Sequence, residues 1–268
     1  MTFRTFHNFS KLSGYSMPTQ KSYLFIILVF FFLMINSNTY LSKNINTSVG
    51  RDKIEETMLR ATRYFADNIA YNGGYLWTYT SDLSRRWGEL EALPTMVWVQ
   101  GSGTVEMGNT FLDAYEITNN EYYYEQAAKA AHSLIQGQLD GGGWNYLIDF
   151  GGEESIKEWY NTIGKSAWRL EEFHHYHGNA TFDDGATAGA ASYLLRFYLV
   201  KEDQKVKYAL DKATNFILES QYYEGSWPQR YPIKNEFYID GKHDYSTYHT
   251  FNDGVIVTNL IFLISSYK

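Results

Sequence analysis

The chain has 268 residues, 44% of them hydrophobic and 18% aromatic, enough apolar material for one sizeable core and too much for a disordered chain. Its 23 basic and 30 acidic residues give a net charge of −7, so a nucleic-acid partner, which wants a basic face, is not expected. No cysteine is present, which excludes disulfides, a thiolate nucleophile, Cys-ligated zinc and a lipoprotein anchor.

In chain order the first element is an address. "YLFIILVFFFLMI", Tyr23 to Ile35, is an unbroken apolar run preceded by Lys21 and followed by "NSN". It is shorter than the roughly 20 residues of a comfortable bilayer span and has the length of a signal-peptide core. Residues 1–40 therefore read as a signal peptide, or as a signal anchor if the segment is retained, since no clear A-x-A site follows. Met17 offers a second, more usual start. Export implies a periplasmic or extracellular protein, membrane-anchored only if the segment stays. Residues 1–38 hold Arg4, Lys11 and Lys21 and no acid, so the body that remains has 20 basic against 30 acidic residues. An anionic substrate would then need a metal ion or a local basic cluster to bridge it.

After a linker over 41–51, helical periodicity dominates residues 52–268. It predicts a first helix over Asp52–Ala70. Two helix hairpins follow, Thr104–Ile117 with Glu121–Gln138 and Gly185–Val200 with Asp203–Gln221, turning at "TNN" and "KED". Val255–Tyr267 opens a third. Three Gly-aromatic loops punctuate them: "NGGYLW" (72–77), "GGGWNY" (141–146) and "EGSWPQRYP" (224–232). The spacing from Gly103 to Trp144 nearly equals that from Gly185 to Trp227. Such a repeat predicts an all-α fold, an α/α toroid of helix hairpins with its Gly-Trp loops at one rim. The last helix has no partner, so the toroid is expected to be incomplete at the C-terminus. The aromatic count by itself favours an ordinary core over sugar stacking.

Two helix starts are nearly identical: "TFDDGAT" (181–187) and "TFNDGVI" (250–256). The plain reading is helix capping by one acid or amide of each pair. Capping does not account for two adjacent polar residues, so the second of each pair is free to face the axis. Asp183, Asp184, Asn252 and Asp253 would then form an oxygen-rich set suited to calcium rather than zinc. Paired carboxylates also suit acid–base hydrolysis of a glycoside, and the residues alone leave both open. Glu89, Glu91 and Asp149 are weaker candidates for the cleft edge. "HHYH" (174–177) has a spacing poor for one metal-binding helix face and reads as a solvent loop.

"TFDDGAT", "GSWPQRYP" and "TFNDGVI", in that order, resemble the pectate lyases of polysaccharide lyase family 10, the pectic acid lyases. The upstream "YLWTYTSDLSRRWGE" and "YEQAAKAAHSLIQGQLDGGGWNY" resemble a wider group of exported pectate-lyase-like proteins. The resemblance spans roughly residues 70–268. It implies a helical toroid and β-elimination on polygalacturonate or a related acidic polysaccharide, with calcium as cofactor. It implies that Asp183, Asp184 and Asp253, with Asn252 beside them, bind calcium or the substrate carboxylate. Trp227, Gln229 and Arg230 match a loop bordering the cleft, and Trp144 stands at the corresponding place in the preceding Gly-Trp loop. No catalytic residue is assigned: the family's Brønsted base is an arginine well beyond the TFND motif, and this sequence stops at Lys268. The segment before "TFDDG" ("FGGEESIKEWYNTIGKSAWRLEEFHHYHGN") carries no recognisable motif. The competing readings are a glycoside hydrolase on a similar toroid and an inactive glycan-binding remnant. An isoprenoid cyclase is disfavoured because DDxxD clusters are absent.

Overall fold

The computed structural model describes residues 49–167, 173–234, 238–239, 242–243 and 245–267. The expected export segment and most of the linker lie outside the described residues. The chain divides into two units, Met1–Thr57 and Met58–Lys268. Helix α1 (Arg51–Tyr64) is shorter than the periodicity predicts. Its continuation, Phe65–Ile69, winds into a π-helical turn that the Ala70 N–H closes on the Phe65 carbonyl at 2.9 Å.

The expected hairpins are present. α2 (Thr104–Thr118) packs antiparallel to α3 (Glu121–Gln136), and α5 (Ala186–Val200) to α6 (Gln204–Glu219). Their turns follow from local chemistry. Asn119 takes the left-handed conformation that ends α2, and the Asn120 side chain accepts from the Tyr122 N–H to start α3. Asp203 does the same for α6, accepting from the N–H groups of Lys205 and Val206. α7 (Val255–Tyr267) follows as the next helix. α2, α5 and α7 are neighbours in that order, and α3 packs beside α6. The first set makes the inner row of an α/α toroid segment and the second its outer row. The ring does not close among the described residues. Helix α4 (Glu153–Thr162) lies in the segment where no motif was found, and periodicity did not single it out.

The Gly-Trp loops are joints between consecutive units. The indole N–H of Trp144 donates to the Leu134 carbonyl at 2.8 Å, and that of Trp227 to the Ile217 carbonyl at 2.8 Å, ten residues upstream in each case. Each bond satisfies a carbonyl near a helix C-terminus. Gln138 and Gln221 then donate their side-chain amides to the carbonyls of Gly142 and Gly225, both at 2.8 Å. The glutamine that ends each outer helix in the sequence thus folds back to pin its own glycine turn.

Short antiparallel pairs tie loop to helix start. After a small pair of β1 (Thr78–Tyr79) with β2 (Arg86–Trp87), β3 (Met96–Trp98) pairs with β4 (Leu147–Asp149), matching Trp98 to Leu147. β5 (Ala180–Thr181) pairs with β6 (Arg230–Tyr231), matching Thr181 to Arg230. Loops and inner-helix starts therefore share one rim. The core beneath is aromatic: Trp98, Trp144, Trp159 and Trp227 are all fully buried.

Candidate functional site

The rim is built from equivalent turns. Asp183–Gly185 and Asn252–Gly254 are each a single 3-10 turn ahead of an inner helix, and the two turns pack against each other. Asp184 (φ 48°, ψ 25°) and Asp253 (φ 49°, ψ 30°) are both left-handed, as are the glycines that follow them. Asp is tolerated there and Gly is favoured, which is why Asp-Gly recurs. A methyl added to Gly185 or to Gly254 would meet the same Thr258 Cγ2 at 3.4 Å, so both turns close onto one residue.

A third turn shares one left-handed position with these two under a different spelling, although Gly101, at the place of Asp184 and Asp253, is not left-handed. "WVQGSGT" (98–104) places left-handed Ser102 where Gly185 and Gly254 stand. The N–H groups of Trp98, Thr181 and Thr250 donate to the carbonyls of Tyr75, Trp144 and Trp227, respectively. The Thr104 hydroxyl accepts from the Tyr75 N–H at 3.0 Å, and the Thr187 hydroxyl accepts from the Trp144 N–H at 3.0 Å. Gln100 is therefore the counterpart of Asp183, a rim residue that sequence reasoning missed. Its signal was the threonine four residues later, not an acid.

The acids of the first turn do not cap α5, whose start carries no side-chain cap. Asp183 is fully buried, and its Oδ2 accepts from the Tyr146 hydroxyl at 2.5 Å. Its Oδ1 is buried with no hydrogen-bond partner among the described residues. Asp184 is exposed and accepts from the Gln100 amide at 3.0 Å, while Gln100 itself accepts from the Trp98 indole at 3.0 Å. Asn252 and Asp253 are exposed and hydrogen-bond each other. The capping reading thus fails for Asp183 and Asp184, and side-chain partners from neighbouring units take its place.

The loop residues are distributed differently from the expectation. Trp144 and Trp227 are buried joints, and neither ring offers a face to solvent. Gln229 is buried, its amide nitrogen and oxygen both without partners among the described residues, while its backbone carbonyl accepts from the Phe182 N–H at 2.8 Å. Arg230 is only 3% exposed, with its guanidinium carbon 5.0 Å from the centre of the Tyr146 ring. Tyr146 therefore touches both Asp183 and Arg230, and sequence reasoning did not single it out. His177 is buried rather than part of a solvent loop, and burial followed by the Arg230 charge pulls its pKa down to about 3. His174 bonds the Ala167 carbonyl and His175 is exposed. Glu91 is held by Arg85 at 2.6 Å.

Among the described residues, no three His, Asp or Glu side chains gather closely enough to hold a metal ion by themselves. The orphan Oδ1 of Asp183 is the one observation at the rim that fits a cation, because a buried carboxylate oxygen without a donor is costly.

Residues 149–268 match the family model for pectic acid lyase. No curated protein matches the chain. A solved family 10 polysaccharide lyase from Cellvibrio cellulosa aligns with 60% of this chain at 27% identity, with a TM-score of 0.35. A mutant of a family 10 lyase from the same organism, in complex with trigalacturonic acid, aligns over the same share at 26% identity and a TM-score of 0.35. A possible member of the GH105 family from Salmonella enterica serovar Paratyphi A aligns with 81% of this chain and 69% of its own, at 12% identity and a TM-score of 0.31. The chain spans 40% of the length of the two lyase structures.

Proposed function

We propose that this chain, a pectate-lyase-like relative across residues 149–268, takes part in β-elimination on polygalacturonate or a related acidic glycan. The observation that carries the reading is the match over 149–268 falling on the stretch that holds both Asp-Gly turns and the loop with Arg230. In that reaction a base removes the C5 proton of a uronate, the electron pair forms the C4–C5 double bond, and the C4–O bond breaks. The departing oxygen keeps the bonding pair and takes up a proton. Negative charge builds toward the uronate carboxylate as C5 loses its proton, so a fixed positive charge nearby lowers the barrier.

Arg230 supplies positive charge at the rim from behind Tyr146, since it is buried rather than an exposed fork. Tyr146 fixes the Asp183 carboxylate through one oxygen and leaves the other unpartnered. Asp183 and Asp184, with Asn252 and Asp253 on the adjacent turn, are the residues that would hold calcium. The ion would neutralise the uronate carboxylate.

The test is incubation with polygalacturonate, following the near-ultraviolet absorbance of the unsaturated product with calcium and then with a chelator. A calcium-dependent rise that Asp183→Asn abolishes is expected. Reducing ends without that absorbance would point to hydrolysis, and an unaffected Asp183→Asn variant would remove the rim from the reaction. We also propose that residues 1–40 direct export, which N-terminal sequencing of protein recovered outside the cytoplasm would check.

A further inference from the structure

The two acids of the first Asp-Gly turn are aimed by side chains from earlier in the chain. Asp183 accepts from the Tyr146 hydroxyl, and Asp184 accepts from the Gln100 amide at 3.0 Å. Both donors precede residue 149, where the family match begins, whereas both acids lie within it. The matched stretch therefore carries the acids, and the chain before it carries the groups that direct them.

Gln100 can meet Asp184 in only one way round. The Trp98 indole N–H can donate but not accept, and it reaches Gln100 Oε1 at 3.0 Å. The Nε2 end of the amide must then face the carboxylate, where it donates to Asp184 Oδ2. A flipped amide would set N–H against N–H and oxygen against oxygen, and lose both bonds. The ring behind Gln100 thus fixes which end of the amide Asp184 meets.

That ring is held on several sides. Trp98 is fully buried, with ring centres 5.9 Å from Trp77, 6.1 Å from Phe173 and 6.3 Å from Trp159. A methyl on Gly88 would stand 2.1 Å from it, so backbone closes on it as well. Gln100 itself is only 3% exposed, and its carbonyl accepts from the Gly103 N–H at 3.1 Å. Asp184, by contrast, is exposed. An exposed carboxylate samples several rotamers, and a donor anchored on a core indole selects among them.

We propose that Gln100 is a positioning residue of the rim, holding the Asp184 carboxylate in the direction in which it would ligate calcium. It acts through Asp184 and takes no part in the elimination itself. The inference rests on the reading of Asp184 as a calcium ligand. Among the described residues the acids do not close on an ion by themselves, so the direction of each one counts. Partners that orient metal ligands typically contribute about 10–100-fold to metal affinity.

The experiment titrates the full chain with calcium in a calorimeter and, separately, measures urea denaturation with and without calcium. Gln100→Met keeps the length of the side chain and removes both amide groups; calcium affinity should fall about tenfold or more. Gln100→Asn keeps the amide but is one methylene too short to span from Trp98 to Asp184. It should show a similar loss and decides the matter if the first variant does not fold. Asp184→Gly, which suits the left-handed backbone there, should lose at least as much. The rise in denaturation midpoint that calcium gives the unaltered chain should shrink in the Gln100 variants. A purely structural glutamine would instead lower the midpoint equally with and without calcium and leave the affinity of the folded protein alone. That result, no calcium binding by the unaltered chain, or calcium binding indifferent to Asp184→Gly would each overturn the proposal. Loss of affinity in the Gln100 variants of a chain that forms no unsaturated product would uphold it while the lyase reading fails.

Discussion

The two Asp-Gly turns have almost the same backbone and opposite surroundings. Phe182 is fully buried, its ring 5.5 Å from that of Phe216, and Asp183 behind it is buried too. Phe251, at the same place in the second turn, is 78% exposed, and Asn252 and Asp253 lie open with it. Backbone shape at these turns is written locally, by residues that tolerate or favour positive φ. Side-chain fate is written by what the next unit lays on top. The first turn has α6 and the Trp227 loop over it. Near-equal spelling therefore produced equal backbone geometry in unequal surroundings, and the first turn is the buried one.

The largest expected contrast tests this directly. Phe182→Ala should cost about 3–5 kcal/mol of stability, as for other buried aromatics. Phe251→Ala should stay within about 0.5 kcal/mol, as at ordinary surface positions. Urea denaturation of both variants measures the pair, and equal losses would break the comparison. Next comes Tyr146→Phe, which removes the hydroxyl that donates to the buried Asp183 carboxylate and should cost about 1–3 kcal/mol. Its counterpart on the open turn, Asn252→Ala, should cost less than about 0.5 kcal/mol. Smaller again, and equal at both turns, is the effect of Gly185→Ala and Gly254→Ala. Each forces an L residue into a left-handed position for about 1–2 kcal/mol, with the added methyl only in ordinary contact with Thr258. A large difference between them would mean that the backbones are not equivalent.

Acid should separate the turns as well. His177, four residues before Thr181, has a native pKa near 3 against an ordinary value of 6.5. The unfolded chain binds the proton first, so this contribution to stability is whole above about pH 6.5. It shrinks as pH falls and is gone by about 3. Amide exchange of residues 180–186 should therefore quicken between pH 7 and 4 more than that of 250–255, and His177→Gln should flatten the difference.

Much of this was legible in the sequence where one residue type serves one purpose. The hairpins follow from apolar period and from Asn120 and Asp203 at the helix starts. The glutamines closing each outer helix and the Gly-Trp loops marked the joints. The "WVQGSGT" turn was not legible, because its backbone is set by Ser102 and its anchor is Thr104, neither of which spells Asp-Gly. The buried state of Arg230 was hidden for a related reason. Its burial depends on partners tens of residues away, such as Tyr146, 84 positions earlier in the chain. α4 escaped notice because its buried face is only Ile156, Trp159 and Tyr160.

The indole bolts of Trp144 and Trp227 have a wider consequence. Both partners of each bolt lie within one stretch of eleven residues, so every module carries its own fastening. A module of this kind can be copied into a gene, or lengthened between fastenings, without rewriting its neighbours. The spans that follow the two bolts differ accordingly, 37 residues from Trp144 to Thr181 but 23 from Trp227 to Thr250. The longer span is the one that holds α4. Self-fastened units thus leave the connecting chain free to grow, and a helix such as α4 can be added there without disturbing the joints.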